Sequence, residues 1–190
     1  MNSQHLYVIT GASGAGKSTL VAALDEMGYS TIPEAALAIL REHRERDDKA
    51  LPTTDRAAFM EAVLARSLDD YKRAHALEPP VFFDRGIPEW LRFANLDEER
   101  RKAIAAQHRY AGTVFVADPW PEIYARDHER THGFDRAAAS YVRTVSAYIQ
   151  AGYETCIIPK VPVKERVAFI LAHVGAAAQQ VAAADRRLRA

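Results

Sequence analysis

The segment GASGAGKS near the N-terminus constrains the fold of this chain more than any other feature. It fits the pattern G-x-x-x-x-G-K-[ST], and it lies between a short apolar run, residues 6–10, and a stretch with helical spacing. In such a setting glycines allow successive backbone N–H groups to turn inward, and the positive end of the following helix completes a cradle for phosphate. We therefore predict a nucleotide-binding loop, the alternative being a glycine-rich turn without a ligand.

This loop and the first helical residues after it are predicted to contact a nucleoside triphosphate. In this interpretation Lys17 reaches the β- and γ-phosphates, and the Ser18 hydroxyl is a ligand of Mg²⁺. The residues predicted to bind the nucleotide here are Gly11, Ala12, Ser13, Gly14, Ala15, Gly16, Lys17, Ser18 and Thr19.

Five short runs rich in β-branched or aromatic residues alternate with longer stretches of helical periodicity. The runs are almost continuously apolar, which is typical of parallel strands covered by helices on both faces. The pattern predicts an α/β fold of three layers with an internal sheet. The predicted strands are residues 6–10, 29–32, 81–84, 113–117 and 155–158, and two of the predicted helices cover residues 97–110 and 119–128.

The length of 190 residues and a hydrophobic fraction of 48% fit one soluble domain with a single core. We place the nucleotide-binding domain at residues 1–174. Residues 175–190 are rich in Ala, Gln and Arg and hold few large apolar side chains, so we expect a frayed or loosely docked helical tail there.

Charge and cysteine content exclude several classes of protein. Lys and Arg together number 25, and so do Asp and Glu, so no net positive field favours nucleic acid. Cys156 is the only cysteine, which excludes an intramolecular disulfide scaffold and indicates a reducing compartment. The first apolar run is too short for a membrane span or a signal peptide. We expect a cytoplasmic protein that binds neither nucleic acid nor membranes.

Two further features indicate which kind of nucleotide-binding protein with such a phosphate loop (P-loop) this is. The chain has no N-K-x-D tetrapeptide, the guanine-reading motif of Ras-type GTPases, so adenine is favoured over guanine. Asp84 ends an apolar run and is followed by Arg85, whereas a motor ATPase more often has Asp-Glu there, with the Glu activating water. ATP with Mg²⁺ is therefore the expected cofactor pair, and direct hydrolysis is the less favoured activity.

Three charged residues end or follow predicted strands, at the edge where open α/β sheets bind ligands. Asp84 has the position of a magnesium acceptor, and Arg85 can contact a phosphate or an acidic substrate. A helix cap and a surface ion pair are the alternatives for these two residues. Glu34 suits a general base for an acceptor hydroxyl, although the helix dipole alone also favours Glu in a first helical turn.

Arg126 and Arg130 are four residues apart and hence on one helical face. We interpret their segment as a mobile flap whose arginines neutralise charge on the phosphoryl group in transfer. The alternative is a solvated face with ion pairs to Asp127 and Glu129. Residues 128–132 also fit H-E-x-x-H, but the stretch is charged throughout and lacks a third ligand at the usual spacing, so no zinc site is predicted.

Pro159, Val161 and Val163 follow the fifth predicted strand. We predict that they form an apolar shelf for the adenine, the alternative being a plain turn from strand to helix. Trp90 and Tyr124 either stack on an acceptor molecule or belong to the core, and the core is the favoured interpretation.

Several of these motifs together carry a resemblance that runs over about residues 7–172. With GASGAGKST, IPEAA, FFDRGIPEWL, DPWPEIYARDHER and IIPKVPVKERVAFIL, the chain resembles the small P-loop ATPases called the AAA-type domain 28 family. Relatives of that family include the ribosylnicotinamide kinase domain of the bifunctional NAD regulator. The resemblance implies a nucleoside- or nucleotide-kinase-like core with strand order 2-3-1-4-5 rather than a ring-forming motor. It also implies that Glu34, Asp84 and Arg85 lie by the acceptor and that an arginine-bearing flap closes over the triphosphate.

Two functions fit these observations. The first is a kinase that transfers the γ-phosphoryl group of ATP to a small hydroxyl-bearing metabolite, with Glu34 or Asp84 orienting the hydroxyl. The second is a regulatory module that hydrolyses ATP slowly and acts through a protein partner. Its motivation is the charged stretch of residues 41–49 and the tail after Gly175, both of which could dock a partner.

Overall fold

The computed structural model describes residues 3–45, 55–124 and 133–188. Within these residues strands alternate with α-helices, and a short 3₁₀ helix, Pro121–Ile123, precedes α6. The strands are β1 (Leu6–Gly11), β2 (Ser30–Ile32), β3 (Val81–Asp84), β4 (Thr113–Ala117) and β5 (Glu154–Ile158). The helices are α1 (Lys17–Glu26), α2 (Ala35–Glu45), α3 (Arg56–Ala74), α4 (Ile87–Leu91), α5 (Glu98–Gln107), α6 (Phe134–Gln150) and α7 (Val163–Leu188).

The five strands form one parallel sheet in the order β2-β3-β1-β4-β5. In register, Val8 of β1 lies opposite Phe83 of β3 and Val114 of β4. The predicted α/β class and strand order are therefore confirmed. The strands that follow β1 in the sequence, β2 and β3, lie on one side of it, and the later strands β4 and β5 lie on the other side. The carboxyl end of β1 is thus a topological switch point, where sheets of this kind bind ligands.

Alternating side chains of β1 divide the core into two halves, one on each face of the sheet. Leu6 and Val8 pack with apolar residues of α2, α3, α4 and α6, whereas Tyr7 and Ile9 pack with those of α1 and α7. Because successive side chains of a strand point to opposite faces, one apolar strand fills both halves. The sheet is therefore the middle layer of three, as predicted.

The edge strand β5 departs from the predicted burial on both faces. Glu154 and Ile157 are exposed, and Ile157 is 46% accessible. β5 pairs with β4 alone among the described strands, so part of its surface has no neighbouring element to cover it. Cys156 is half-buried on this strand and packs against the α1 and α7 side of the core.

Two predicted helices also differ from the structure. The helix predicted for residues 119–128 is wrong over its described part, where only the 3₁₀ turn forms. Trp120 is extended because a residue before proline, here Pro121, disfavours the helical conformation. Helix α5 ends at Gln107 instead of continuing to residue 110, since His108 leaves helical geometry.

Helix α7 is continuous through the start of the predicted tail. It runs from Val163 to Leu188 without a break near residue 175, so the described part of the tail extends this helix. The domain boundary at residue 174 stays a prediction. Among the described helices, none combines the length and apolarity that a membrane crossing requires.

Candidate nucleotide-binding site

The loop of residues 11–16 has the backbone geometry of a phosphate cradle. Gly11, Gly14 and Gly16 have φ angles of 124°, 77° and 76°, in the region that favours glycine. Gly11 also lies against β4, because a Cβ atom on it would come within 2.1 Å of the Ala117 carbonyl oxygen. The next residue, Ala12, donates its N–H to that same oxygen at 2.9 Å. The loop is thus anchored to the sheet directly beneath its turn.

Lys17 lies inside this loop rather than in solvent. It is 5% exposed, and its Nζ donates to the Ala12 carbonyl at 2.7 Å. Burial, followed by the nearby positive charge of Arg85, lowers the pKa of Lys17 from 10.5 to about 8. The residue predicted to hold the β- and γ-phosphates is therefore a desolvated amine, whose charged form an anion stabilises.

A pH dependence of nucleotide affinity follows from Lys17. Because a triphosphate favours the protonated amine, affinity is expected to fall as pH rises through the pKa of about 8. The dissociation constant should rise about tenfold between about pH 7 and pH 9. Isothermal titration of the Mg²⁺ complex of the non-hydrolysable analogue AMP-PNP across this range measures it. Lys17→Arg is the control, because guanidinium does not titrate there, and an equally steep profile in that variant would assign the effect to another group.

Ser18 and Asp84, the two predicted magnesium ligands, are in contact. The Ser18 hydroxyl donates to Asp84 Oδ2 at 2.8 Å, and Asp84 Oδ1 is buried without a hydrogen-bond partner among the described residues. Burial, and after it the negative charge of Glu34, raises the pKa of Asp84. A hydroxyl beside a desolvated carboxylate with a free oxygen is a donor set that fits Mg²⁺.

Arg85 joins Glu34 to a residue that sequence reasoning missed. Its Nε forms an ion pair with Glu34 Oε2 at 2.9 Å, and its Nη1 lies 3.3 Å from both carboxylate oxygens of Glu89. Burial opposes the charged form, but Glu34 and Glu89 raise the pKa of Arg85 well above its usual value. The spacing of four residues between Arg85 and Glu89 was the available sequence signal.

Glu89 itself is held in place from β1. It is 1% exposed, and its Oε2 accepts a hydrogen bond from the Thr10 hydroxyl at 2.9 Å. Burial raises the pKa of Glu89. The Arg85 backbone has a φ of 69°, rare for a residue with a side chain. Arg85 is therefore fixed by two carboxylates at the carboxyl end of β3.

A cleft of about 530 Å³ opens over the loop and takes in most of the predicted site residues. Val161 and Val163 line it, whereas Pro159 is not among the lining residues; its carbonyl accepts from the Val161 N–H at 3.0 Å and shapes the turn. Glu34 and Arg85 line the same cleft. The adenine shelf stays a prediction, and the structure places two of its three residues on the cleft wall.

Arg166 of α7 is a second residue of this cleft that sequence reasoning missed. It is 3% exposed, its Nη2 donates to the Ala15 carbonyl at 3.0 Å, and its guanidinium carbon is 5.5 Å from the centre of the Trp120 ring. Burial lowers its pKa. Arg166 ties α7 to the phosphate loop across 151 positions of sequence, and no local pattern pointed to it.

The remaining predicted residues fall into two groups. Trp90 is buried in the core, with the Arg85 guanidinium 5.9 Å from its ring centre, and Tyr124 lies close over Gly14. Arg126 and Arg130 lie outside the described residues, so the arginine flap stays a prediction.

Comparison with known proteins is consistent with this geometry. The model of the AAA-type domain 28 family, described as an AAA domain, matches residues 6–166. A nucleotide-binding protein of Salinispora arenicola (strain CNS-205) is 29% identical over 119 residues, 60% of this chain and 39% of that protein. One of Acidiphilium cryptum (strain JF-5) is 31% identical over 118 residues, 59% and 36% of the two chains. The matched region thus spans well under half the length of these curated relatives.

Solved structures of two kinases share the fold. Deoxyadenosine kinase from M. mycoides with bound dATP has a TM-score of 0.60 at 19% identity, covering 90% of this chain and 99% of that one. Shikimate kinase from Acinetobacter baumannii in complex with shikimate has a TM-score of 0.56 at 14% identity, covering 90% and 93%. At these identities the likeness establishes a P-loop kinase fold.

Proposed function

This chain belongs to the AAA-type domain 28 family, and from that premise we propose that it is a Mg²⁺-dependent kinase acting on a small molecule. The reaction is transfer of the γ-phosphoryl group of ATP to a hydroxyl of that molecule. The two kinases of similar fold support phosphoryl transfer over a motor function.

One observation carries the proposal: a single cleft is lined by both the phosphate loop and the Glu34–Arg85 ion pair. Leu37 and Arg41 of α2 line the same cleft. We infer that a triphosphate on the loop has its γ-end towards this pair and that the α2 residues contact the acceptor. A hydrolase needs only room for water there, whereas this arrangement offers a wall for an organic acceptor.

We assign the steps to residues of this cleft. Lys17 holds the β- and γ-phosphates, and Arg85 neutralises charge on the phosphoryl group as it moves. Glu34 accepts the proton of the acceptor hydroxyl, and the oxygen of that hydroxyl forms the new bond to phosphorus. The bond to the β,γ-bridging oxygen breaks, and that oxygen leaves on ADP with the electron pair. Val161 and Val163 are assigned to the adenine.

Ser18 and Asp84 are the residues that would hold Mg²⁺ in this proposal. The ion supplies charge neutralisation on the oxygens of the β- and γ-phosphates when it is bound. The unpartnered Oδ1 of Asp84 is the observation that supports this assignment over a purely structural hydrogen bond.

Replacing Asp84 with Asn is expected to weaken the use of magnesium selectively. The amide keeps the size of the side chain and can still accept from Ser18, but it removes the negative charge. We expect the Mg²⁺ concentration for half-maximal activity to rise by about 10- to 100-fold. Magnesium titration of ADP release measures it, with Asp69→Asn, an exposed carboxylate of α3, as control. An unchanged titration in Asp84→Asn would remove Asp84 from the metal site.

The proposed function is tested by ADP release in the presence of a panel of hydroxyl-bearing metabolites. We expect ATP to bind more tightly than GTP and one class of metabolite to accelerate ADP release sharply. Slow release that no metabolite changes, with free phosphate accumulating, would contradict a kinase and favour the regulatory ATPase acting through a protein partner.

A further inference from the structure

Three arginines, each on or next to a different helix, lie near one another on the side of the sheet opposite α1 and α7. Arg56 begins α3, Arg92 follows α4 and Arg143 lies on α6; we call them the arginine cluster. The guanidinium carbons of Arg92 and Arg56 lie 4.4 Å and 5.7 Å from the centre of the same Phe93 ring. Burial lowers the pKa of Arg92; the negative charge of Glu89 opposes this shift, and the positive charges of Arg143, Arg85 and Arg56 add to it.

The arginine cluster forms no ion pair among the described residues. Arg92 Nε and Nη1 are buried without a hydrogen-bond partner, and no ion pair joins Arg56, Arg92 or Arg143 to a carboxylate within the described ranges. Glu89 lies one turn before Arg92, but its oxygens accept from Thr10 and Arg85. Guanidinium nitrogens that are buried without a partner are costly, and an anion that reaches them relieves that cost.

The arginine cluster lies on the face of the sheet opposite the helices that follow the nucleotide-binding segments, so we connect it with the acceptor rather than with ATP. The phosphate loop leads into α1, and the Val161–Val163 wall leads into α7, both on one face of the sheet. Helices α3, α4 and α6 pack on the other face, and α4 begins two residues after Arg85. Arg85 lines the cleft and is also close enough to Arg92 to lower its pKa, so it borders both the cleft and the arginine cluster.

We propose that the arginine cluster binds an anionic group, a phosphate or a carboxylate, carried by the acceptor. The inference rests on the proposed function and narrows its substrate to acidic hydroxyl compounds, such as phosphate monoesters or hydroxy acids. Guanidinium suits both groups because its planar fork of N–H donors pairs with two oxygens at once. Arg92 is the residue at the centre, since it contacts Phe93 most closely and has two buried guanidinium nitrogens without partners.

Direct binding of small anions tests the proposal without an acceptor. The phosphate loop is first saturated with AMP-PNP and Mg²⁺. Binding of inorganic phosphate and of acetate is then measured by isothermal titration at constant ionic strength, with chloride as the reference anion. We expect saturable binding that Arg92→Gln weakens at least about tenfold. Arg100→Gln, on the exposed surface of α5, is the matched control and should bind as the parent does. The ratio of phosphate to acetate affinity tells which anion the cluster prefers.

A second variant keeps the proposal testable if Arg92→Gln does not fold. Arg143 is exposed on α6, so Arg143→Gln leaves the core intact and is expected to weaken the same anion. If phosphate and acetate bind no better than chloride, or if neither variant changes their binding, the proposal is overturned.

Kinetics separate this proposal from the function on which it rests. For an anionic acceptor, Arg92→Gln should raise KM at least about tenfold with kcat within about threefold, and the neutral analogue should show no such change. If AMP-PNP binds but no acceptor is phosphorylated, the proposed function fails, and the anion titration still tests whether the arginine cluster binds an anion. If AMP-PNP does not bind, the titration is repeated in Lys17→Met, where the phosphate loop lacks its amine.

Discussion

Replacing Lys17 with Met is expected to lower phosphoryl transfer by about 10²- to 10³-fold. The amine is the donor that the loop directs at the β- and γ-phosphates, and the thioether of Met has the length of the lysine stem but no charge. Because Lys17 is buried and its charged form is desolvated in the free protein, the variant should fold as stably as the parent or more so. Loss of activity would therefore arise from the site rather than from unfolding.

The measurement for Lys17→Met combines ADP release with thermal unfolding. Lys102→Met, an exposed residue of α5 paired with Glu98, is the matched control and should keep parental activity. A Lys17→Met variant that releases ADP within about threefold of the parent rate would contradict the role given to this residue.

Replacing Gly11 with Ala is expected to destabilise the fold by about 3–5 kcal/mol. Two effects add at this position: the φ of 124° is strained for any residue with a Cβ, and the new methyl would meet the Ala117 carbonyl at 2.1 Å. The oxygen belongs to the backbone of β4 and cannot move aside without disturbing the sheet. We expect the unfolding temperature to fall by about 10 °C or more, or the variant to be recovered unfolded.

Two other glycines divide this effect into its parts. Gly28 has a φ of 88° but open space around its Cβ direction, so Gly28→Ala measures the backbone strain alone, about 1–2 kcal/mol. Gly112 has open space and no positive φ, so Gly112→Ala should change stability by less than about 1 kcal/mol. If Gly11→Ala loses no more than Gly28→Ala, the close contact with β4 is not what requires glycine.

The parts of the fold that could be predicted from sequence are those with local causes. The phosphate loop depends on three glycines and one lysine within a few residues, and the parallel sheet follows from runs that are almost continuously apolar. The strand order came from resemblance to a family, since local sequence does not specify which strand neighbours which. The exposure of Ile157 depends on β5 being an edge strand, which the composition of that strand does not reveal.

The site residues that the sequence did not predict are those whose position in the site depends on tertiary packing. Arg166 reaches the loop from the last helix, and its role depends on the packing of α7 against α1. Glu89 belongs to a five-residue helix whose direction is fixed partly by the Gly86 N–H, which donates to the buried Tyr148 hydroxyl at 2.8 Å. Glu34, by contrast, was found because its position just after a strand specifies an edge of the sheet.

The most direct test of the central claim follows the γ-phosphorus itself. ATP, Mg²⁺ and the most activating acceptor are incubated with the protein, and phosphorus NMR records where the γ-phosphoryl group goes. The account predicts a new phosphate ester resonance that grows with ADP and is absent with Lys17→Met. Conversion of the γ-phosphorus to inorganic phosphate alone, at a rate that the acceptor does not change, would contradict it.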